Sequence, residues 1–232
     1  ASSIAKKTGM SEFIIGLTIV GIGTSTPEMV VSFISSIQGK ADMAIGNVVG
    51  SNIFNTFVIL GITALICPLA ITKESLKRDL PLNIIVTGLL ILLGMKATIF
   101  GMGSDNLTRI DGLILLAILV LYFRMLLKKP KEEIEKSDET EESTKIYSTG
   151  KSVILIIAGL VGLVFGGRLF VDSATDIAIH FNMSEKFIAL TIMAAGTSLP
   201  ELATSVVAAL KGRGQLALGN VLGSNIFNIL LI

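Results

Sequence analysis

Residues 11–32 read SEFIIGLTIVGIGTSTPEMVVS, and residues 184–205 read SEKFIALTIMAAGTSLPELATS. Laying Glu28 on Glu201 sets an offset of 173, and about half of the paired positions are then identical. The same offset, without a gap, lays AIGNVVGSNIFN (44–55) over ALGNVLGSNIFN (217–228). Two matches of this length in one register make an internal duplication. Each copy also breaks the same rules. A proline, hydroxyls and a full carboxylate stand inside a run that is otherwise apolar.

The apolar background fixes the class. Of 232 residues, 51% are hydrophobic and only 16% charged, against roughly 25% charged in a soluble domain. Mean hydropathy is +0.78. The apolar residues fall in blocks at 13–37, 43–70, 82–100, 110–127, 151–172, 184–210 and 216–232, each near the roughly 20 residues that a membrane helix needs. The expectation is an all-α membrane protein with about seven transmembrane spans. The net charge of +1 points to no nucleic-acid partner, and nothing in the sequence signals a protein partner. The lone Cys67 cannot form an internal disulfide.

One hydrophilic break divides the chain. Residues 128–150, KKPKEEIEKSDETEESTKIYSTG, mix lysines with acidic residues and lack apolar periodicity. The organisation that follows is a first repeat at 1–127, a linker at 128–150 and a second repeat at 151–232. The 173 offset also pairs Ala1, Ile4, Ala5 and Met10 with Ala174, Ile177, Ala178 and Met183. In the second copy this segment follows the span at 151–172, which has no counterpart ahead of Ala1. The first copy runs on through two spans that would fall beyond Ile232. The arithmetic predicts a parent of ten helices, five per repeat, of which this chain lacks the leading helix and the last ones.

Five is odd, so consecutive repeats must enter the membrane from opposite sides, which is the inverted-topology arrangement of many secondary transporters. Lysine and arginine fall heavily on one side, including Lys73, Lys77, Arg78, Lys128, Lys129, Lys151, Lys211 and Arg213, and sparsely on the other, at Lys40, Lys96, Arg109 and Lys186. The positive-inside rule then places the 128–150 linker in the cytoplasm of a multi-pass cell-membrane protein.

The chemistry sits in GTSTPE (23–28) and GTSLPE (196–201). A proline inside a helix removes a backbone donor and crowds the carbonyl four residues earlier, at about 3 kcal/mol. Here those carbonyls belong to Gly23 and Gly196. Freed carbonyls at membrane depth persist only where something satisfies them, and a carboxylate there costs roughly 3 kcal/mol or more. Arg168 is the one basic residue well inside a span, against two glutamates. Carboxylates, loosened carbonyls and hydroxyls together describe a hard-cation site, and the absence of His and Cys from both motifs argues against zinc or copper. In the second motif Gly46 and Gly50, like Gly219 and Gly223, lie four apart and allow close helix packing. Ser51 with Asn55, and Ser224 with Asn228, share a helix face and can turn oxygens toward the glutamates. Asn47, Asn52, Asn220 and Asn225 read instead as polar glue that bonds loosened backbone between helices. Asp105, Asp111, Asp172 and Asp176 fall near span ends and read as solvated, and His180 as a surface loop residue.

These paired GTSxPE and GNxxGSNIFN segments resemble the α-repeats of sodium/calcium exchangers in the cation/calcium exchanger superfamily, in a short-loop prokaryotic type. The likeness covers the whole chain and is most specific at 11–56 and 184–229. It implies ten helices in the parent and a Na+/Ca2+ antiporter working by alternating access at a midplane site, not an enzyme. No cofactor is implied; Ca2+ and Na+ are transported ions, and the bilayer is the surroundings. Carried over position by position, Glu28 and Glu201 would be the central carboxylates. Thr24, Ser25, Thr197 and Ser198 would supply carbonyl and hydroxyl oxygens. Ser51, Asn55, Ser224 and Asn228 would complete the sites, with the backbone carbonyls of Gly21 and Ala194 nearby. Some members carry Asp where Asn228 stands, and potassium-dependent ones carry extra acids; with Asn at both 55 and 228 the pocket offers two carboxylates, which disfavours potassium co-transport. The alternatives are a Ca2+/H+ exchanger of the same superfamily and, from another class, a cation channel, against which inverted repeats argue.

Overall fold

The structure, a computed structural model, describes residues 11–69, 71, 73, 75–101, 105–127, 148–183 and 185–232. All of its regular elements are helical. Helix α1 (Glu12–Thr24) turns by 43° into α2 (Thr26–Ile37), and α3 follows as Ala41–Ile66. A wide helical turn at Ser75–Asp79 leads into α4 (Leu80–Gly94), and then come short α5 (Lys96–Phe100) and α6 (Arg109–Leu127). After these, α7 spans Thr149–His180. Helix α8 is built from Glu185–Ile188, Ala189–Met193 and Ala194–Thr197, and is followed by α9 (Leu199–Leu210) and α10 (Gly214–Leu230).

The two bends follow from the sequence. Pro27 and Pro200 each sit in the first turn of the second segment, where a missing N–H leaves no acceptor unsatisfied. The preceding serines leave the helical region, Ser25 at φ −77°, ψ 4° and Ser198 at φ −84°, ψ 5°. The α8–α9 bend is 49°, close to its twin's. Ahead of each break the helix widens to i→i+5 bonding, at Gly16–Val20 and at Ala189–Met193, positions related by the same 173 offset. Such widened turns gather at functional sites. The Gly196 carbonyl, expected to be loosened by Pro200, faces Gly167 of α7, where an added Cβ would lie 3.2 Å from that oxygen.

Helix α10 runs through the centre, and every residue from 217 to 230 is buried. Its small residues let α1 come against it backbone to backbone. A Cβ built at Gly219 would overlap the carbonyl of Phe13, and one at Gly223 that of Leu17. From the other side, a Cβ at Gly16 would overlap the carbonyl of Leu216, and one at Gly21 would sit 3.2 Å from the Ser224 nitrogen. An ion pair from Arg213 to Glu12, 3.2 Å long, closes the end of this crossing. On the opposite flank of α10, Val86 of α4 and Leu115, Leu119 and Tyr122 of α6 join Leu218, Leu222 and Ile226 in the apolar core. Phe123 stacks on Phe227 at 5.5 Å. The twin crossing, α8 on α3, carries Ala189 and Ala194 where α1 has Gly16 and Gly21, and a cleft of about 350 Å3 opens there between Gly50, Ile53, Phe57, Thr191, Ala194 and Ala195.

Large apolar side chains also cover the outside, with Leu65 89% and Phe57 75% exposed. A surface this apolar is one that lipid covers. Two described helices, Ala41–Ile66 and Gly150–His180, are long and apolar enough to cross a membrane alone, and four are if each bent pair counts as one span. The fold is therefore an all-α, multi-pass membrane fold.

Two expectations are corrected. The span foreseen at 151–172 extends to His180, so Asp172 and Asp176 lie on α7 and His180 closes the helix instead of standing in a loop. Continued backbone bonding outweighs the polar residues that suggested an earlier end. Asp111 is buried, not solvated: Lys96 pairs with it at 2.5 Å and the Thr108 amide donates to it at 2.7 Å. Of the linker expected at 128–150, residues 128–147 lie outside the described residues; α7 begins at Thr149, where the Ser148 hydroxyl accepts from the Lys151 amide.

The α1–α10 crossing makes a direct prediction. Gly223→Ala must push Leu17 backbone away and lower the melting temperature of the detergent-purified protein. Gly61→Ala on α3, with nothing within 4 Å of an added Cβ, should melt as wild type or slightly higher.

Candidate cation site

Both broken helices bring a carboxylate to the same depth. Glu28 opens α2 and Glu201 opens α9, each in the first turn after its break, where the helix dipole favours negative charge. Both are fully buried. The contact between them is reciprocal: the Ser198 hydroxyl donates to Glu28 Oε1 at 2.9 Å, and the Ser25 hydroxyl donates to Glu201 Oε1 at 3.1 Å. Each half of the chain thus holds the carboxylate of the other. Ser224 adds a second hydroxyl to Glu201 Oε1 at 3.3 Å.

The surrounding groups repeat with the same two-fold logic. Thr24 Oγ1 lies 3.3 Å from the Gly21 carbonyl, 3.2 Å from Asn220 Oδ1 and 3.5 Å from Ser224 Oγ. Thr197 Oγ1 lies 3.2 Å from the Ala194 carbonyl, 3.2 Å from Asn47 Oδ1 and 3.4 Å from Ser51 Oγ. Ser224 also reaches the Gly21 carbonyl at 3.4 Å, and Ser51 the Ala194 carbonyl at 3.5 Å. The structure therefore draws together Glu28, Glu201, Thr24, Ser25, Thr197, Ser198, Ser51 and Ser224 with the carbonyls of Gly21 and Ala194. Asn55 and Asn228 lie one helical turn beyond Ser51 and Ser224 and are fully buried.

Asn47 and Asn220 brace the glutamates from behind. The Asn47 amide donates to the Glu28 carbonyl at 3.2 Å and to Ser32 Oγ at 3.0 Å. Asn220 donates toward the Glu201 carbonyl at 3.3 Å and Ser205 Oγ at 2.9 Å. Both thus bond backbone of a neighbouring helix, as expected, but at the glutamates' own carbonyls and not at the Gly23 and Gly196 carbonyls that the prolines crowd. Ser32 and Ser205 were not singled out, although their twin positions carried the signal.

Four side-chain oxygens on these elements are buried without a partner among the described residues: Glu28 Oε2, Glu201 Oε2, Asn55 Oδ1 and Asn228 Oδ1. They come in two-fold pairs, one carboxylate and one amide oxygen from each half. Unpartnered buried acceptors cost about 1–3 kcal/mol each, and more when charged, so these four mark a preference for a group that can only be a donor or a cation. Among the described residues no lysine or arginine forms an ion pair with either glutamate; the side chain of Arg168 lies outside the described residues. No cluster of three or more His, Cys, Asp or Glu occurs among the described residues, so the donor set is two carboxylates with neutral oxygens. Oxygen-only sets of this kind suit hard cations.

Comparison with known proteins places the same segments in one family. The model of the sodium/calcium exchanger protein family matches residues 1–128 and 151–232. The putative antiporter CaxA of Alkalimonas amylolytica is 42% identical over 236 residues, covering 100% of this chain and 72% of that protein. The sodium/calcium exchanger MaX1 of Methanosarcina acetivorans is 35% identical over 262 residues, covering 100% of this chain and 75% of the relative. A solved structure of the sodium-calcium exchanger NCX_Mj, soaked with Na+ and Sr2+, superposes with a TM-score of 0.77 at 36% identity, over 98% of this chain and 71% of that one.

The bracing amides can be tested through stability alone. Asn47→Leu removes the amide's two buried bonds, to the Glu28 carbonyl and to the Ser32 hydroxyl. A loss of about 1–3 kcal/mol is expected, read as a lower midpoint in denaturant or thermal unfolding.

Proposed function

The chain belongs to the sodium/calcium exchanger family, and on that footing we propose that it exchanges Na+ for Ca2+ across the membrane at one pocket shared by its two halves. It is a secondary antiporter working by alternating access, not a catalytic enzyme, and its substrates are the ions themselves. The observation that carries this reading is the set of four unpartnered oxygens, two from each half, beside a pair of carboxylates that hold one another through serines.

Charge explains why such a pocket exchanges instead of leaking. Two ionised carboxylates at membrane depth are balanced by one Ca2+ or by two Na+. Emptied, they would stand uncompensated in a low-dielectric region, at roughly 3 kcal/mol or more apiece, so the empty pocket reorients poorly. Two ions that need the same oxygens displace each other, and reorientation then couples their movements. A third Na+ per cycle would move one net charge, worth about 2.3 kcal/mol per 100 mV.

The ligands in this reading are Glu28 and Glu201, the hydroxyls or carbonyls of Thr24, Ser25, Thr197 and Ser198, the side chains of Ser51, Asn55, Ser224 and Asn228, and the carbonyls of Gly21 and Ala194. The two halves, 1–127 and 151–232, are inverted repeats that contribute seven spans, with the 128–150 linker cytoplasmic. The mutual serine–carboxylate bonds and the matched helix breaks support the inversion, since two segments meeting head to head around one pocket must approach it from opposite sides. Lysine and arginine at the ends of α3, α6 and α9 support the orientation.

The test is ⁴⁵Ca uptake into Na+-loaded proteoliposomes carrying the full chain. A sodium gradient should drive uptake and a proton gradient alone should not; uptake that follows the proton gradient assigns Ca2+/H+ exchange instead. Glu28→Gln keeps the shape but removes a charge, and should abolish exchange while leaving a folded, monodisperse protein. Sodium-dependent calcium flux retained in that variant would refute the assignment.

A further inference from the structure

Asn55 and Asn228 are useful to a cation only if their oxygens, not their NH2 groups, face it. An amide that turns by half a rotation keeps its shape and presents two donors where an acceptor stood. Asn55 and Asn228 each have the nitrogen committed elsewhere. Asn228 Nδ2 donates to Asn52 Oδ1 at 3.1 Å, and Asn55 Nδ2 donates to Asn225 Oδ1 at 3.0 Å. The oxygens left over are the two unpartnered, buried amide oxygens of the pocket.

The second pair of amides is held in two different ways. Asn52 Nδ2 donates to the backbone carbonyl of Asn225 at 3.2 Å. A carbonyl can only accept, so Asn52 has one permitted orientation, and through it Asn228 has one as well. Asn225 Nδ2 instead meets the hydroxyl of Thr56 at 2.9 Å. A hydroxyl can accept or donate, so the arm Thr56–Asn225–Asn55 has a second self-consistent pattern in which every amide is turned round. The repeat does not provide this contact twice: Ile229 stands at the position equivalent to Thr56.

We propose that Asn52 and Asn225 are positioning residues that aim the Asn55 and Asn228 oxygens at the transported cation, and that Thr56 holds the Asn225 arm in place by accepting from its amide. This rests on the reading of Asn55 and Asn228 as cation ligands. Thr56 then tunes calcium affinity from outside the pocket, and one amide ligand is locked by backbone whereas its twin is held by a side chain.

Thr56 is exposed, so its variants should fold. In proteoliposomes carrying the full chain, Thr56→Val removes the partner of the Asn225 NH2 group. The Ca2+ concentration for half-maximal sodium-driven uptake should rise roughly fivefold, as expected for one hydrogen bond. Thr56→Ser should restore it. The Ca2+-induced rise in melting temperature should shrink in Thr56→Val and return in Thr56→Ser. A second comparison uses matched charges. Asn225→Asp keeps an acceptor for Asn55 and can receive the Thr56 proton, whereas Asn52→Asp sets a carboxylate against the Asn225 carbonyl. Asn52→Asp should therefore lose Ca2+ affinity by a larger factor than Asn225→Asp. Wild-type exchange with Thr56→Val indistinguishable from wild type, or with the two Asp variants equal, overturns the relay and leaves the glutamate pocket standing. No sodium-driven exchange by wild type overturns both readings.

Discussion

Two carboxylates buried in an apolar molecule, with no basic partner among the described residues, set the terms for the rest of the structure. Burying charge without compensation is among the most costly things a membrane protein can do, and each feature near Glu28 and Glu201 lowers that cost or makes use of it. The proline breaks put both residues in the first turn of a new helix, where unpaired amides and the dipole favour an anion. The serines at the breaks hand each carboxylate a donor from the opposite half. Asn47 and Asn220 tie down the glutamate backbone so that the side chains project from a fixed base. What remains uncompensated is one oxygen of each glutamate, and that remainder is what a cation can occupy.

The packing answers the same demand. A pocket held by hydrogen bonds of about 3 Å needs its walls placed to within a fraction of an ångström, and methyl groups between α1 and α10 would spread them. Glycines at 16, 21, 219 and 223 let the two backbones touch, so the distance from Ser224 to Thr24 and the Gly21 carbonyl is set by main chain against main chain. Close approach through small residues substitutes in a membrane for the hydrophobic drive that holds soluble helices together. The apolar core formed with α4 and α6 then supports α10 from behind.

Much of this was legible in the sequence because duplication makes anomalies repeat. Either Pro27 or Glu28 alone could be an accident of one helix; with Pro200 and Glu201 at the same offset they define a site. The glycine spacing at 219 and 223 likewise foretold the close crossing. Other features left no trace. The buried contact of Tyr122 with Asp79, 2.9 Å long and joined by Arg78, links residues 43 positions apart that belong to no repeated pattern. The burial of Asp111 goes with its ion pair to Lys96, fifteen positions away and in no repeated pattern. The amide orientations were invisible for a different reason: Asn52, Asn55, Asn225 and Asn228 are one residue type, and only the groups they face tell them apart.

The exchange of hydroxyls between halves bears on how such a protein could arise. Ser25 serves Glu201 and Ser198 serves Glu28, so neither repeat contains a finished site. A single ancestral unit would have had to pair with a second copy of itself before either carboxylate gained its serine donor. Fusion of the two units then keeps every carboxylate within reach of the serine it depends on.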